Sequence, residues 1–287
     1  SFPTRRSSDL YKIVCPSYTM LRDGHVCDDC LTGSVSNAFR HRCQQGDTFK
    51  SLLLSLEAYW QKFAQNYAML DCIIAPSEFM RQTLLRKLPR SRIDVIVNGI
   101  DASTTVPGDT AGDYFLYIGR LSREKGVATL ALAQQKMQQS MPLKIVGDGP
   151  LGSDLRARFS GPEFLGYMRH GEALNALIRG ARAVIVPSEY YENCSMSVLE
   201  AMAFGRPVVG GNIGGIPEQI RDGIDGYLVE PGDADALARI MDSLAANPQQ
   251  AREMGINARQ RLEDKYDLAR HMQVLQELYQ QLVGEAK

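Results

Sequence analysis

The sequence predicts an α/β fold built on a doubly wound parallel sheet, and three observations lead there. From Tyr114 onward, short apolar runs alternate with segments of helical period. The runs are apolar at consecutive positions, as in Val184-Ile185-Val186, which suits strands buried on both faces. The helical segments carry their own stop signals: Met196–Phe204 ends at Gly205 with Pro207 beyond it.

Taken in order, the chain opens on SFPTRRSSDL, a polar stretch without Met that reads as a non-native or disordered leader, residues 1–10. Tyr11–Cys15 is expected as a short strand, and 16–46 as an irregular segment rich in Cys, His, Gly and Asp. Thr48–Met69 places Leu52, Leu53, Leu56, Tyr59, Trp60, Phe63 and Tyr67 at helical spacing, an amphipathic helix for core packing. Asp71–Pro76 reads as a buried strand, Ser77 as the cap of the next helix, and Ile93–Val97 as another strand. The Ser/Thr/Gly/Pro-rich stretch Asp101–Asp113 reads as a linker, which divides the chain into 11–107 and 108–265, with a closing helix in 266–287. Beyond it, strands are expected at Tyr114–Ile118, Leu143–Val146, Phe164–Leu165, Val184–Pro187, Pro207–Val209 and Tyr227–Val229, with helices between and after them.

Composition narrows the function classes. At 287 residues with 44% apolar and 23% charged content, the chain fits one large or two medium globular domains. Lys+Arg 32 against Asp+Glu 33 leaves a net charge of −1, so no basic field argues for a nucleic-acid partner. No apolar run reaches the roughly 18–20 residues that span a bilayer. No secretory apolar region opens the chain, which makes the cytoplasm the expected compartment.

The residues that carry chemistry cluster at predicted strand ends. Glu192 lies in the loop after Val184–Pro187, where open α/β sheets expose ligand-binding groups. Glu200 follows it on the next helix, and Ser197-Val198-Leu199-Glu200 also fits a capping box, so a structural and a binding role both stand. Gly119, Arg120 and Lys125 follow the first strand after the linker, where two cations beside a helix start suit a diphosphate; a solvated loop in which Glu124 pairs with a basic neighbour is the alternative. The turns Gly147-Asp148-Gly149 and Gly214-Gly215 are expected to let a ligand approach the backbone. Neither a dinucleotide fingerprint nor a P-loop is present.

In order, these pieces are Gly119-Arg120-Leu121 through Lys125-Gly126, GDGP at 147–150, FLGY at 164–167, PSEYYENC at 187–194, EAMAFG at 200–205, GGIPE at 214–218 and DGIDGYLV at 222–229. The series resembles the donor-binding domain of retaining glycosyltransferases of family 4, a glycogen-synthase-like group with the GT-B fold. APSEFMRQ at 75–82 and VIVNGID at 95–101 resemble the rear of that family's acceptor-side domain, and members that build cell-surface polysaccharides are the most similar. The resemblance implies transfer of a sugar, with retention, from a nucleotide-diphosphate sugar to a glycan or lipid-linked glycan, with no catalytic metal. It puts Arg120 and Lys125 on the diphosphate, Glu192 toward the donor sugar and Glu200 on the ribose. Backbone amides of Met196, Ser197, Val198 and Leu199 then meet the distal phosphate, and Leu165, Tyr167 and Met168 border the base. The family's Gly-rich donor loop and a catalytic-side His would fall where SFPTRRSSDL stands, so this chain is expected to bind nucleotide weakly and transfer little sugar. A sugar-nucleotide epimerase of the same fold and a non-catalytic nucleotide-binding fragment are the rival readings.

Cys15, Cys27, Cys30 and Cys43, with His25 and His41 nearby, have a spacing that suits a tetrahedral structural zinc site; free thiols in a loop are the alternative. Cys72 and Cys194 stand beside predicted strands as small hydrophobes. Residues 48–69 offer a second role, contact with the inner face of a membrane, although their basic content is low.

Overall fold

The computed structural model describes residues 11–108 and 111–285, so the leader at 1–10 lies outside the described residues. The chain forms two compact units. One runs to Val97 and takes in the chain from Glu277 onward; the other is Asn98–Gln276. The division comes before the expected linker because 98–105 is tied into the second unit. Ile100 donates to Tyr266 O, Leu268 donates to Ile100 O, and Arg259 reaches Ala102 O and the Thr105 hydroxyl.

In the first unit, Tyr11–Val14 is a helical turn rather than the expected strand. Tyr11 and Val14, three apart, are both buried, a spacing a helical turn satisfies and a strand does not. A two-residue hairpin follows, β1 (Leu21–Arg22) with β2 (His25–Val26), then two single-turn helices, α1 (Asp29–Thr32) and α2 (Asn37–Arg40). Helix α3 (Thr48–Phe63) starts at Asp47, whose side chain accepts from Lys50 N. Its orientation differs from expectation. Ser51 and Ser55 are buried, the latter donating to Val35 O, while Leu53, Leu56, Trp60 and Phe63 are exposed. Strands β3 (Ile73–Ala75) and β4 (Ile93–Val95) pair in parallel around α4 (Glu78–Leu85), which Ser77 caps as expected by accepting from Met80 N at 3.2 Å. Cys72 and Cys194 are half-buried; the Cys72 thiol meets Asp94 Oδ2 at 3.4 Å.

The second unit carries a six-stranded, all-parallel sheet among the described residues. Its strands are β5 (Phe115–Ile118), β6 (Leu143–Val146), β7 (Glu163–Gly166), β8 (Ala183–Val186), β9 (Val208–Gly211) and β10 (Gly226–Val229). They lie in the order β10-β9-β8-β5-β6-β7. Between them run α5 (Val127–Lys136), α6 (Gly152–Arg158), α7 (Glu172–Gly180), α8 (Met196–Ala203) and α9 (Ile216–Gln219). After the sheet come α10 (Ala234–Ala246), α11 (Pro248–Lys265) and α12 (Leu268–Glu285), and the division between the units falls inside α12. Helix α5 packs on α10, and α8 on α11. Phe115, Leu130, Leu143, Ile145, Ile185, Val209, Leu237 and Met241 form the centre of one continuous core. At about 25 cal/mol per Å² of apolar surface removed from water, this core is the main source of the unit's stability.

Candidate functional site

Chain order reverses between β5 and β8: from β5 the sheet grows one way through β6 and β7, and the other through β8, β9 and β10. Ligands of open α/β sheets bind at such a reversal, outside the carboxyl ends of the strands. Here the two strands also part. They pair only at Phe115↔Ala183 and Leu116↔Val184, so their C-terminal halves diverge. The Ser197 hydroxyl of α8 donates to the Ile118 carbonyl at 3.3 Å.

The loops that follow β5 and β8 meet at this opening. Lys125 Nζ lies 2.7 Å from Glu192 Oε1 and donates to the Tyr190 hydroxyl at 2.9 Å, with its charge 4.8 Å from the Tyr190 ring centre. Ser188 Oγ also donates to Glu192 Oε1, at 3.1 Å. Burial disfavours the Lys125 charge, but Glu192 and then Tyr190 outweigh it and hold the ammonium above the ordinary lysine pKa. Burial, reinforced by Glu192, pushes the Tyr190 phenol up, so it stays neutral and accepts a hydrogen bond from the lysine ammonium. An ammonium has three protons, and these contacts use two.

Local chemistry sets the positions. Gly126 takes φ +68 after the turn Arg123–Lys125 and packs on the Pro187 carbonyl, where any Cβ would collide. Glu189 N donates to Glu124 O at 2.8 Å, fastening the two loops backbone to backbone. Buried Tyr117 donates its hydroxyl to Arg120 O at 2.8 Å, which fixes that loop from beneath. The Arg120 side chain is exposed and has no acidic partner among the described residues.

Glu200 lies in the interior of α8, with its carboxylate 3.7 Å from His170 Nδ1. Burial raises its pKa above the usual carboxylate range, against the opposing charge of His170. The capping-box reading of Glu200 fails because Ser195, not Ser197, is the N-cap residue. No side chain caps α8. Of the four amides expected at its start, Leu199 N already donates to Ser195 O, at 3.4 Å. Those of Met196, Ser197 and Val198 belong to the first turn, which has no intrahelical acceptors. Leu165 is on β7, and Tyr167 and Met168 follow it at the same end of the sheet, with Tyr167 exposed.

The glycine-rich turns are also needed for packing between loops. A Cβ on Gly147 would strike the Gly119 carbonyl, one on Gly149 would lie 2.5 Å from Leu121 O, and one on Gly214 would lie 2.5 Å from Glu192 O. These glycines let neighbouring loops approach each other. Gly119 belongs to that packing as well. Sequence reasoning missed Tyr190, Ser188 and His170, and also Gln219. Buried Gln219 accepts from Ser195 N at 2.8 Å and donates to Ser195 O at 3.0 Å, clamping the loop just before α8. Only GGIPE hinted at Gln219, as the residue that follows it.

A profile of the family described as glycosyl transferases group 1 matches residues 107–261, more than half of the chain, across this whole site. The chain belongs to that family. A second profile, glycosyltransferase family 4, matches residues 39–104. The α/β, GT-B class expected for the fold is therefore the one observed. Over 246 residues, 74% of the chain, it is 29% identical to alpha-maltose-1-phosphate synthase of Mycolicibacterium smegmatis. Over 190 residues, 62% of the chain, it is 35% identical to glycogen synthase of Mycobacterium tuberculosis. These matches take in 63% and 45% of the two relatives, so the chain spans less than two thirds of their length. Among solved structures, sucrose-phosphate synthase of Thermosynechococcus elongatus superposes with a TM-score of 0.67 at 27% identity, over 75% of this chain and 59% of that one.

Proposed function

We propose that the opening between β5 and β8 binds the nucleotide-diphosphate sugar of a retaining glycosyltransferase that extends a glycan or lipid-linked glycan. The observation that carries this reading is the meeting of Lys125, from the loop after β5 that also bears Arg120, with Glu192, from the loop after β8, at one strand-end opening. Breaking a sugar–phosphate bond leaves charge on the departing diphosphate. The third proton of Lys125, the exposed Arg120 and the amides of α8 are the groups that stabilise it. Glu192 Oε1 accepts from Lys125 and Ser188, which holds the carboxylate at the opening toward the donor sugar. Glu200 accepts from the ribose hydroxyls, and the Leu165–Met168 segment borders the base. In the retaining scheme a phosphate oxygen of the donor takes the acceptor's proton on the same face of the sugar.

The names of the relatives, a maltose-1-phosphate synthase and a glycogen synthase, support a polymeric or phosphorylated sugar acceptor. A lipid-linked acceptor at an anionic membrane face draws support from the first unit. There a cavity of about 660 Å³ is lined by Tyr59, Lys62, Arg86, Lys87 and Arg90 beside the exposed apolar face of α3. No described helix is long and apolar enough to cross a membrane.

Thermal shift with UDP, ADP and GDP tests the donor reading. A nucleotide at 100 times its Kd should stabilise the donor unit by about 2.7 kcal/mol. Indifference to all three overturns the reading. Retention is read from the anomeric configuration of the product by NMR, and an inverted product rejects that part.

A further inference from the structure

Cys15, Cys27, Cys30 and Cys43 are free thiols, and among the described residues no three His, Cys, Asp or Glu side chains stand where they could hold one metal ion. In the donor unit, by contrast, a buried amide has a defined task. We infer that Gln219 is a positioning residue: it fixes Ser195 and, through it, the first-turn amides of α8 that meet the distal phosphate. The inference rests on the donor reading above and adds the group that makes the start of α8 rigid.

Helix α8 lacks the usual fastening at its start. Ser195 is the N-cap residue, in extended backbone at φ −69 and ψ 119, but its side chain makes no capping bond. The Ser197 hydroxyl is engaged elsewhere, on the Ile118 carbonyl. A capping side chain would satisfy a first-turn amide and fix the helix start at once. Here those amides are left for a ligand, so the start must be fixed from outside the helix.

Gln219 does this from behind. Its Oε1 accepts from Ser195 N at 2.8 Å, and its Nε2 donates to Ser195 O at 3.0 Å. One primary amide pairs with both backbone groups of one residue, as a neighbouring strand would. The second Nε2 hydrogen has the Cys194 sulfur 3.5 Å away, so the amide is used up on residues 194–195. Gln219 therefore acts through α8 and not on the donor itself. With Gln219 1% and Ser195 6% exposed, neither bond can be exchanged for one to bulk water.

The same segment holds the other end of the loop. Gly215 N donates to Glu192 O at 2.6 Å, so residues 215–219 bracket 192–195. Helix α9 is anchored in turn. Arg261 of α11 donates from Nε to Gln219 O at 2.7 Å and from Nη2 to Glu218 O at 2.8 Å. The hydroxyl of Tyr266, at the end of α11, donates to Glu218 O at 2.8 Å. Because α8 also packs on α11, the helix start and its clamp share one scaffold.

Calorimetric titration tests this with whichever of UDP, ADP and GDP binds most tightly, and with the matching monophosphate. Gln219→Met fills the same space and makes neither bond. It should weaken diphosphate binding about 10-fold, the worth of an oriented hydrogen bond to a charged group, and monophosphate binding by less than about 2-fold. Gln219→Glu adds a pH profile. A protonated Glu offers one donor and one acceptor, the pattern of the amide, whereas the ionised form has no donor for Ser195 O. Its preference for the diphosphate, taken relative to the native chain at each pH, should rise toward the native value as pH falls. A residue that only fills space would show no such profile.

A native chain that prefers the diphosphate, with Gln219→Met keeping that preference, overturns the inference and leaves the donor reading standing. A native chain with no preference overturns both. If neither variant folds, hydrogen exchange on the native chain decides. The Ser195 amide should be protected without nucleotide, and those of Met196, Ser197 and Val198 only with the diphosphate. A Ser195 amide that exchanges as fast as those three in the free chain overturns the inference.

Discussion

The donor unit and the cysteine-bearing segment of the first unit solve one problem in opposite ways. Both must hold irregular loops in fixed positions. In the donor unit, every described residue with positive φ is a glycine, and the loops rest on a six-stranded sheet with a continuous core. In residues 11–46, five non-glycine residues take that conformation, and the regular elements are two to four residues long. A chain with a large core positions loops by close backbone approach, as Gly126 does on Pro187 and Gly214 on Glu192. Residues 11–46 are held instead by local backbone bonds, such as Cys27 N to Met20 O and Cys43 N to Ala38 O.

The largest expected effect breaks that contrast directly. Limited proteolysis should cut residues 11–46 well before the donor unit, because elements of two to four residues bury little and open readily. Equal protection of the two regions would mean that the segment is held as firmly as the sheet. Next in size, Lys125→Met strands Glu192, whose side chain is only 12% exposed, without its cation. The donor unit should lose about 3–5 kcal/mol, read by thermal or urea unfolding, and nucleotide binding with it. An unchanged midpoint would mean that the pair contributes nothing to the loop junction.

A smaller effect appears with pH. In its proposed ribose role Glu200 acts as a carboxylate, and burial has raised its pKa. Nucleotide affinity should therefore be full above that raised pKa and fall as pH drops through it. Stability of the unliganded unit should run the other way. The folded state binds more protons than the unfolded one between their two pKa values, so stability falls as pH rises through that window. Glu200→Gln should remove both dependences and raise the Tm at neutral pH. His170→Ala should move the loss of affinity to higher pH, because the His170 charge lowers the Glu200 pKa. Titrations that superimpose for the native protein and Glu200→Gln would remove Glu200 from the ribose.

The same contrast decides what could be read from the sequence. The donor unit was legible because its strands are buried on both faces: Leu143–Val146 has the bounds expected of it, and Val184–Val186 lies within β8. The Arg120–Lys125 loop and Glu192 were legible as strand-end chemistry. Their meeting was not, because the contact of Lys125 with Tyr190 and Glu192 depends on β5 and β8 lying side by side across 65 and 67 residues. In the first unit, Tyr11–Cys15 was misread because a short apolar run fits a turn as well as a strand. Helix α3 was legible as a helix, but its facing was not: Ser51 and Ser55 are inside while Trp60 and Phe63 are outside. Hydrophobic period identifies an amphipathic face without saying which side is covered.

The central claim is that the loops after β5 and β8 form one diphosphate site. Calorimetric titration with a nucleoside diphosphate and its monophosphate, on the native chain and on Arg120→Ala, tests it most directly. Arg120 is exposed, so its removal should change stability by less than about 0.5 kcal/mol. The native chain should prefer the diphosphate, and the variant should lose roughly 10-fold or more of that preference, the worth of a hydrogen bond to a charged group. Equal affinity for the two nucleotides, or a preference that survives in Arg120→Ala, would contradict the account.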